Sequence, residues 1–394
     1  MITMQQNFRV TYSYPVIFTR DVFGAHNTAL LDAVSVAGSR LNRVLIAIDS
    51  NIVESTPELL ARIEDFGRRH RKIMEFVDSP VIVRGGEICK NEPLEVAHIQ
   101  ALTLKHHICR HSFILAIGGG AVLDAVGFAA ATSHRGVRLI RMPTTTLAQN
   151  DAGIGVKNGV NAFGRKNFLG TFAPPYAVIN DFDFLKTLPV RDMRAGIAEA
   201  VKVALIKDGA SFNALYAERG KLAVFEPEAM EKMIIRCSEL HMEHICQGGD
   251  PFEGGESRPL DFGHWSAHNL EELTSGDIKH GEAVAIGIAL DSLYSRHIGR
   301  ITEQELQKIL TILEDIGFDL YHPALERVDI DRALQGFREH LGGELTITML
   351  RGIGRISDLH EIDTKLMRIC IETLARRKEG KEDGYDRALQ QHVG

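Results

Sequence analysis

Hydrophobic positions in the first half of the chain alternate between short continuous runs and stretches with helical spacing. The runs are rich in valine, isoleucine and leucine, which predicts buried strands, and they are separated by segments of helical period. Strands that alternate with helices in this way are typical of a parallel sheet covered on both faces. The predicted strands are 43–49, 80–84, 112–117 and 137–142, and the predicted helices are 57–68 (with Thr56 as N-cap), 94–109 and 122–132.

The second half of the chain has a different pattern. From about residue 190 the apolar residues recur at helical spacing, as in Ile197, Val201 and Leu205, and 345–350 is the clearest strand signal. A chain of 394 residues is long enough for two domains. We therefore expect an α/β domain over 1–188 and a mainly helical domain over 189–394.

Composition and charge narrow the class of protein. With 45 Lys+Arg against 52 Asp+Glu, the net charge of −7 gives no reason to expect nucleic acid or an anionic membrane as partner. The five cysteines are odd in number and lack CxxC spacing, which favours a reducing compartment over a disulfide framework. The N-terminus lacks a signal-peptide pattern, and no uncharged apolar run is long enough to span a membrane. We expect a cytoplasmic enzyme.

A glycine run, Gly118–Gly120, directly follows a predicted strand and opens a predicted helix. Glycines at such a turn let backbone N–H groups approach a phosphate at the helix N-terminus. Asp124 follows, but Leu123 stands where the third glycine of a G-x-G-x-x-G motif would fall. A tight strand–helix turn without a ligand explains the run equally well.

Histidines suggest a metal site in the second half. His264 and His268 in FGHWSAH would share one face of a helix, and His280 follows in KHGE. Glu199 in GIAEAVK could add a carboxylate, because three protein ligands and an open position are the arrangement of a catalytic zinc site. The alternative is chance spacing, since the chain has 17 histidines.

A third group of candidate residues is polar and basic. QNDAGIGVKNGVNAFGRKNFLG contains Asp151, Lys157, Lys166 and Asn167, and its glycine and asparagine content predicts a loop. Ammonium groups and backbone amides in such a loop could hold a phosphate. A solvated surface loop is the alternative.

Taken together, these stretches resemble 3-dehydroquinate synthase and other sugar phosphate cyclases. The matching text runs from GGGAVLDAVGFAAATSHRGVRLIRMPTTTLAQNDAGIGVKNGVN and GRKNFLGTFAPP to LKTLPVRDMRAGIAEAVK, FGHWSAH and HGEAVAIG. The resemblance implies an N-terminal α/β NAD-binding domain with a parallel sheet and a helical C-terminal metal-binding domain, with the active site between them. The implied cofactors are NAD and one divalent metal ion, for which zinc is favoured over cobalt.

The resemblance also assigns roles to individual residues. Arg135 in HRGVR matches an arginine that reaches the phosphate site of a neighbouring subunit, which implies a homodimer. The metal ligands would be Glu199, His264 and His280; the catalytic residues Lys202, His268, Asp151 and Lys157; the substrate-binding residues Arg135, Lys166, Asn167, Asp261 and His340; and the cofactor-binding residues Asp49, Asn51, Glu87, Lys90, Gly119, Gly120, Asp124, Thr144 and Thr145.

The reaction implied by the resemblance uses NAD without consuming it. A substrate hydroxyl is oxidised to a ketone, and the ketone acidifies the neighbouring C–H bond so that phosphate leaves by β-elimination. The hydride then returns, the sugar ring opens, and an intramolecular aldol step closes the carbocycle.

The chain departs from the synthases where they bind the substrate carboxylate. Asp261 in GGESRPLDFGH replaces an asparagine, Ser257 replaces an arginine that Arg258 could restore, and His340 is the best match for a lost lysine. A carboxylate repels a carboxylate, so Asp261 favours a neutral hydroxyl-bearing end, as in sedoheptulose 7-phosphate. The alternative role for Asp261 is to fix the tautomer of His264.

His268 bears on the product. The 2-epi-5-epi-valiolone synthases carry a proline at the second histidine position, whereas this chain keeps His268, which resembles the 2-epi-valiolone type. The alternatives are a 3-dehydroquinate synthase acting on the 2-keto-3-deoxy seven-carbon acid phosphate, a 2-epi-5-epi-valiolone synthase, a metal-dependent polyol dehydrogenase, or a non-catalytic relative that binds a nucleotide or a partner.

Overall fold

The computed structural model describes residues 1–35, 41–248, 250–252, 258–341 and 345–380, with the backbone alone at 339–341. The chain divides into two compact units. The first unit comprises Met1–Ala148 with Ala152–Leu188, and the second comprises Gln149–Asp151 with Pro189–Gly394.

A seven-stranded parallel sheet forms the core of the first unit, in the order β1-β9-β6-β5-β2-β3, with β4 also paired to β2. Alternate residues of its central strands enter two separate apolar clusters, as Ile46 and Ala47 do. Both faces are therefore covered, which explains why these strands are apolar throughout. The strands are β1 Val16–Thr19, β2 Asn42–Asp49, β3 Met74–Phe76, β4 Val81–Val83, β5 Phe113–Gly118, β6 Arg138–Pro143 and β9 Ala177–Asp181.

Among the described residues, six α-helices of the first unit lie between these strands. The predicted helix start was wrong, because the Asp49 side chain accepts a hydrogen bond from the Asn51 N–H and begins a short helix directly after β2. Thr56 therefore ends that helix, and the next begins at Leu59. The helices are α1 Ala29–Ser35, α2 Ser50–Ser55, α3 Leu59–Arg69, α4 Ile88–Asn91, α5 Pro93–Lys105 and α6 Gly120–Thr132.

The glycine-rich stretch after β6 is a hairpin, so the predicted loop was wrong. Strands β7 Lys157–Ala162 and β8 Arg165–Phe172 pair antiparallel. The fully buried guanidinium of Arg141 in β6 donates hydrogen bonds to the carbonyls of Gly153, Gly155 and Lys157 and to the side-chain oxygen of Asn158. A buried arginine thus satisfies backbone groups that the small residues leave without partners, and it fixes the start of the hairpin.

The second unit is mainly helical. Its helices α7 and α11 are buried on nearly all sides along most of their length, as expected of helices without a polar face. The small antiparallel pair contains the strand predicted at 345–350. The elements are α7 Val190–Lys207, α8 Gly209–Ala223, α9 Pro227–Gln247, α10 His264–Leu273, α11 His280–His297, α12 Glu303–Ile316, α13 Ile330–Leu341, β10 Ile347–Leu350, β11 Ile356–Leu359 and α14 Thr364–Lys378.

The predicted fold class is confirmed: a parallel-sheet α/β unit is followed by a mainly helical unit. Among the helices of the described ranges, none has both the length and the apolar character that a membrane crossing requires.

Candidate functional site

Three potential metal ligands converge in the second unit. Glu199 lies in the buried middle of α7, while His264 and His280 are the first residues of α10 and α11. Glu199 Oε1 is 3.5 Å from His264 Nε2 and 3.3 Å from His280 Nε2. Ligand atoms bound tetrahedrally at about 2.1 Å from zinc are ~3.4 Å apart, so the three side chains are already spaced for such an ion.

The other ring nitrogen of each histidine also has an acceptor. His264 Nδ1 lies 3.1 Å from the Phe262 carbonyl, and His280 Nδ1 lies 3.4 Å from Glu271 Oε2. Acceptors at Nδ1 hold the proton there and leave Nε2 free to coordinate, which is how metal-bound histidines are oriented in proteins. The sequence-based alternative that Asp261 fixes the tautomer of His264 was wrong, because the Phe262 carbonyl takes that position.

Glu199 forms an ion pair with Lys202 of the same helix, α7. Lys202 Nζ lies 2.5 Å from Glu199 Oε2, and the two side chains are 3% and 0% exposed. Burial alone would raise the pKa of Glu199, but the Lys202 ammonium and both imidazoles outweigh it and hold the pKa well below its usual value. Glu199 is therefore ionised, as a metal ligand must be.

Two neighbouring carboxylates favour the protonated form of the His280 imidazole. Burial would lower the pKa of this imidazole, but the carboxylates of Glu199 and Glu271 raise it to about 10. A proton and a divalent ion therefore compete for the same ring. The donor set, the spacing and the surplus of negative charge all fit a divalent ion.

Asp151 is paired with a histidine that the sequence analysis missed. His241 in α9 lies with Nδ1 3.0 Å from Asp151 Oδ1. Burial and Glu199 oppose ionisation of Asp151, but the hydrogen bond and charge of His241 keep its pKa below the usual value. Asp151 in turn helps Lys202 to remain a cation, although burial opposes this. The cluster therefore holds alternating acids and bases.

Asp261 and His268 complete the predicted polar set of this unit. Asp261 ends a 3-10 turn, Pro259–Asp261, and its carboxylate is close enough to Lys202 and His268 to interact electrostatically with both. The ring of His268 lies 5.4 Å, centroid to centroid, from that of His264. Within the described ranges, no hydrogen bond or ion pair joins the Arg258 guanidinium to this cluster.

The residues predicted to form a nucleotide-binding turn lie close together in the first unit. Asp49 at the end of β2 accepts hydrogen bonds from the Asn51 N–H and, at 3.5 Å, from the Gly119 N–H after β5. Thr144, at the end of β6, donates its N–H to the Gly118 carbonyl. The carboxyl ends of three adjacent parallel strands thus meet here, which is where open α/β sheets bind ligands.

The start of α6 fits a phosphate group. Gly119 is the N-cap residue of this helix and supplies no side-chain cap, so the first N–H groups are not satisfied by a cap. A Cβ on Gly119 would lie 3.2 Å from Thr145 Cγ2, and one on Gly120 would lie 3.2 Å from Ala152 Cβ. Glycine therefore keeps the approach to these N–H groups open.

The remaining predicted cofactor residues tie this turn to the hairpin. Lys90, 5% exposed, lies with Nζ 2.7 Å from Asp124 Oδ2 and also donates to the side-chain oxygen of Asn167. Glu87 accepts a hydrogen bond from Asn161 of β7. The amide of Asn167, predicted to bind substrate, is therefore held by Lys90.

The other predicted residues lie on the surface of the first unit or outside the described atoms. Lys157 and Lys166 are exposed on the hairpin, and Arg135 is exposed in a turn after α6. His340 lies in α13, but its side chain is outside the described atoms. Ser257 lies outside the described residues.

The sequence analysis did not identify two acidic residues and one histidine of this unit, namely Glu271, Asp291 and His241. Glu271 lies three residues after His268 on α10, so helical spacing alone could have placed it on the same face. His241 gave no local signal, because its partner Asp151 is far away along the chain. The carboxylate of Asp291, buried in α11, gave none either.

Family models match most of the chain. The model for the N-terminal part of 3-dehydroquinate synthase matches residues 80–195, and the model for its C-terminal part matches residues 196–339. These ranges include the start of α6 and the three converging ligands.

Individual relatives agree with this match. A 2-epi-5-epi-valiolone synthase of Streptomyces glaucescens is 33% identical over 92% of this chain and 92% of the relative. A 3-dehydroquinate synthase of Alkaliphilus metalliredigens (strain QYMF) is 33% identical over 82% of this chain and 87% of that enzyme.

A solved structure is similar over nearly the whole length. The 2-epi-5-epi-valiolone synthase of Streptomyces hygroscopicus subsp. jinggangensis 5008, with NAD+ and Zn2+ bound, superposes with a TM-score of 0.83. It is 30% identical, and the match covers 95% of this chain and 100% of that chain.

Proposed function

Because the chain belongs to the 3-dehydroquinate synthase family of sugar phosphate cyclases, we propose that it converts sedoheptulose 7-phosphate into a seven-carbon cyclitol. The conversion releases one phosphate and leaves the redox state of the carbon skeleton unchanged. The observation that carries the choice of substrate is Asp261, a carboxylate beside Lys202 and His268 with no arginine in the described cluster.

The cofactors of the proposed reaction are NAD and one divalent ion, zinc or cobalt. Glu199, His264 and His280 would hold the ion, and the turn at Asp49, Gly119 and the start of α6 would hold NAD. When bound, the two groups supply Lewis acidity toward substrate hydroxyls and a reversible hydride acceptor. The relative from Streptomyces hygroscopicus, which was solved with NAD+ and Zn2+, supports this assignment.

The proposed roles of the polar residues follow from their charges. Lys202 is a buried cation and donates hydrogen bonds to a substrate hydroxyl or to the oxygen that develops negative charge. Asp151, kept ionised by His241, and the ring of His268, whose pKa is lowered to about 3 by desolvation and the neighbouring imidazoles so that it is neutral, are proposed to accept protons from the substrate. Lys157, Lys166 and Asn167 would hold the phosphate together with Arg135 of a partner subunit, so a homodimer is part of the proposal.

The substrate end that faces Asp261 is proposed to carry hydroxyl groups. A carboxylate accepts hydrogen bonds from hydroxyls but repels a second carboxylate, and in a partly desolvated site that repulsion amounts to several kcal/mol. The 2-keto-3-deoxy acid phosphate used by 3-dehydroquinate synthases would place its carboxylate against Asp261.

The product is proposed to be of the 2-epi-valiolone type, because this chain keeps His268 where the 2-epi-5-epi-valiolone synthases carry proline. The second candidate product is 2-epi-5-epi-valiolone, which the names of two similar proteins favour. The two products differ in configuration at one carbon and are distinguished by NMR. A cytoplasmic location also belongs to the proposal.

The test compares two substrates. Purified protein loaded with NAD and zinc is incubated with sedoheptulose 7-phosphate or with the 2-keto-3-deoxy seven-carbon acid phosphate, and released phosphate is measured. The proposal predicts turnover of the first alone, with no net gain of NADH absorbance. Turnover of the acid alone would contradict the choice of substrate, and stoichiometric NADH would indicate a polyol dehydrogenase. NMR of the product identifies the epimer.

A further inference from the structure

Asp291 is a fully buried carboxylate in α11 that the proposed chemistry does not use. Its Oδ2 accepts a hydrogen bond of 2.9 Å from the Gly263 N–H, and its Oδ1 accepts one of 2.8 Å from the Trp265 indole N–H. The two donors are the residues on either side of His264. One carboxylate thus holds both neighbours of a proposed metal ligand.

The first residues of α10 make a close backbone contact with α11 at this point. Gly263 has a φ of 78°, in the left-handed region, and is the N-cap residue of α10. A Cβ on Gly263 would lie 2.9 Å from the Ile288 N, and one on Gly287 would lie 2.0 Å from the Gly263 carbonyl oxygen. The two backbones therefore approach each other more closely than any side chain would allow.

This contact relates two ligands to each other. His280 is the first residue of α11, and Asp291 lies about three turns further along the same helix. Because Asp291 binds both neighbours of His264, α11 carries one ligand directly and fixes the position of the other. A change at Asp291 would move His264 relative to His280 without touching either ring.

Burying a carboxylate in this position costs free energy unless hydrogen bonds compensate for the lost hydration. Within the described part of the chain no cation pairs with Asp291, and burial raises its pKa to about 7 although the two N–H donors oppose the shift. An apolar residue would fill the same space without desolvating a charge. The two hydrogen bonds to the neighbours of His264 are the compensation that the structure shows.

We propose that Asp291 is a positioning residue that fixes His264 and thereby sets the affinity of the Glu199, His264 and His280 site for its divalent ion. The inference rests on the proposed function, since it takes these three side chains as the metal ligands. Asp291 is not a catalytic residue, because Gly263 and Trp265 separate it from the site.

The experiment measures zinc affinity in the full-length protein, made metal-free and titrated with Zn2+ against a chromophoric chelator. Asp291→Asn keeps the size of the side chain. Its NH2 group, however, would face the Gly263 N–H or the Trp265 indole N–H, so that two hydrogen-bond donors oppose each other. We expect its zinc dissociation constant to rise about 10- to 100-fold, the range seen when partners of metal ligands are changed. The control is Ser292→Ala on the same helix, because Ser292 is equally buried and its Oγ has no partner among the described atoms. We expect wild-type affinity there.

A second variant separates positioning from general damage to the fold. Trp265→Phe removes one of the two donors, so we expect a smaller loss of zinc affinity than in Asp291→Asn. When the two substitutions are combined, the oxygen of the introduced amide can still accept the Gly263 N–H, while its NH2 group no longer faces the indole. Zinc affinity should therefore recover toward that of Trp265→Phe alone, which an additive loss of stability would not produce.

The outcomes distinguish this inference from the proposed function. Zinc binding that is lost in His264→Ala but unchanged in folded Asp291→Asn would overturn the role of Asp291 and leave the metal site intact. If Asp291→Asn does not fold, unchanged affinity in Trp265→Phe would overturn it instead. A wild-type protein that binds no zinc would overturn the proposed function, and this inference with it.

Discussion

The three proposed ligands meet because three helices each contribute one side chain at a defined point. His264 and His280 are the first residues of α10 and α11, so the positive ends of two helix dipoles lie beside any ion bound there. That field disfavours a cation, and the carboxylates of Glu199 and Glu271 offset it. The acids in this cluster therefore compensate the positive charge of the two helix ends.

Glu271 gives a direct test of that balance. Replacing it by glutamine removes a negative charge and weakens the acceptor at His280 Nδ1, so we expect zinc affinity to fall about 10- to 100-fold. Competition with a chelator measures the dissociation constant. The control is Glu272→Gln, because that neighbour is exposed. Equal affinity in the two variants would contradict a role for Glu271.

Asp261 tests the choice of substrate. In Asp261→Asn, kcat/KM for sedoheptulose 7-phosphate should fall about 10- to 100-fold if hydroxyls donate to the carboxylate, because hydrogen bonds to a charged group contribute roughly 1.5–3 kcal/mol. Zinc content should stay at the wild-type level. Steady-state phosphate release gives the rate, and an unchanged kcat/KM would show that Asp261 does not contact the substrate.

At the scale of elements, the sequence pattern predicted those strands and helices that are determined by residues close together in the chain. The buried strands and the start of α6 follow from continuous apolar runs and a glycine turn, and both are present. The β7–β8 hairpin depends on Arg141, which reads as an ordinary strand residue until its buried contacts are seen. The Asp151–His241 pair joins parts of the chain that no local window connects.

Helix α8 gives a test of pH dependence away from the site. Its N-cap, Asp208, accepts from the Ala210 N–H, and hydrogen bonds from Ser211 and then Arg236 lower its pKa to about 2. Because the folded pKa is depressed, this stabilisation is present above about pH 4 and is lost as pH falls toward 2. Asp208→Asn should lower the Tm at neutral pH, with the difference from wild type shrinking in acid. A constant difference would contradict the charge effect.

At the scale of the whole molecule, an acidic chain is proposed to bind an anionic substrate. The net charge is −7, so phosphate must be held by local positive charge, and Arg135, Lys157 and Lys166 are exposed cations of the first unit. Arg135 lies in a turn where His134, Arg135 and Gly136 all have positive φ, and among the described residues it makes no hydrogen bond or ion pair. The proposed homodimer uses this exposed guanidinium at the phosphate site of the partner subunit.

Mixed dimers test that partnership. If each site uses its own Lys157 and the partner's Arg135, Arg135→Ala and Lys157→Ala homodimers are both inactive, but a mixed dimer has one intact site. After subunit exchange, activity should recover to about a quarter of the wild-type level, because half of the dimers are mixed and each has one intact site of two. Phosphate release measures it. A monomeric protein, or no recovery in verified mixed dimers, would contradict the shared site.

The most direct test of the central claim is anomalous scattering at the zinc edge from crystals of the zinc-loaded protein. The account predicts one strong peak about 2.0–2.2 Å from His264 Nε2, from His280 Nε2 and from a Glu199 oxygen. A protein that takes up zinc but shows no peak there, or shows it at other residues, would contradict the site on which the proposed cyclisation depends.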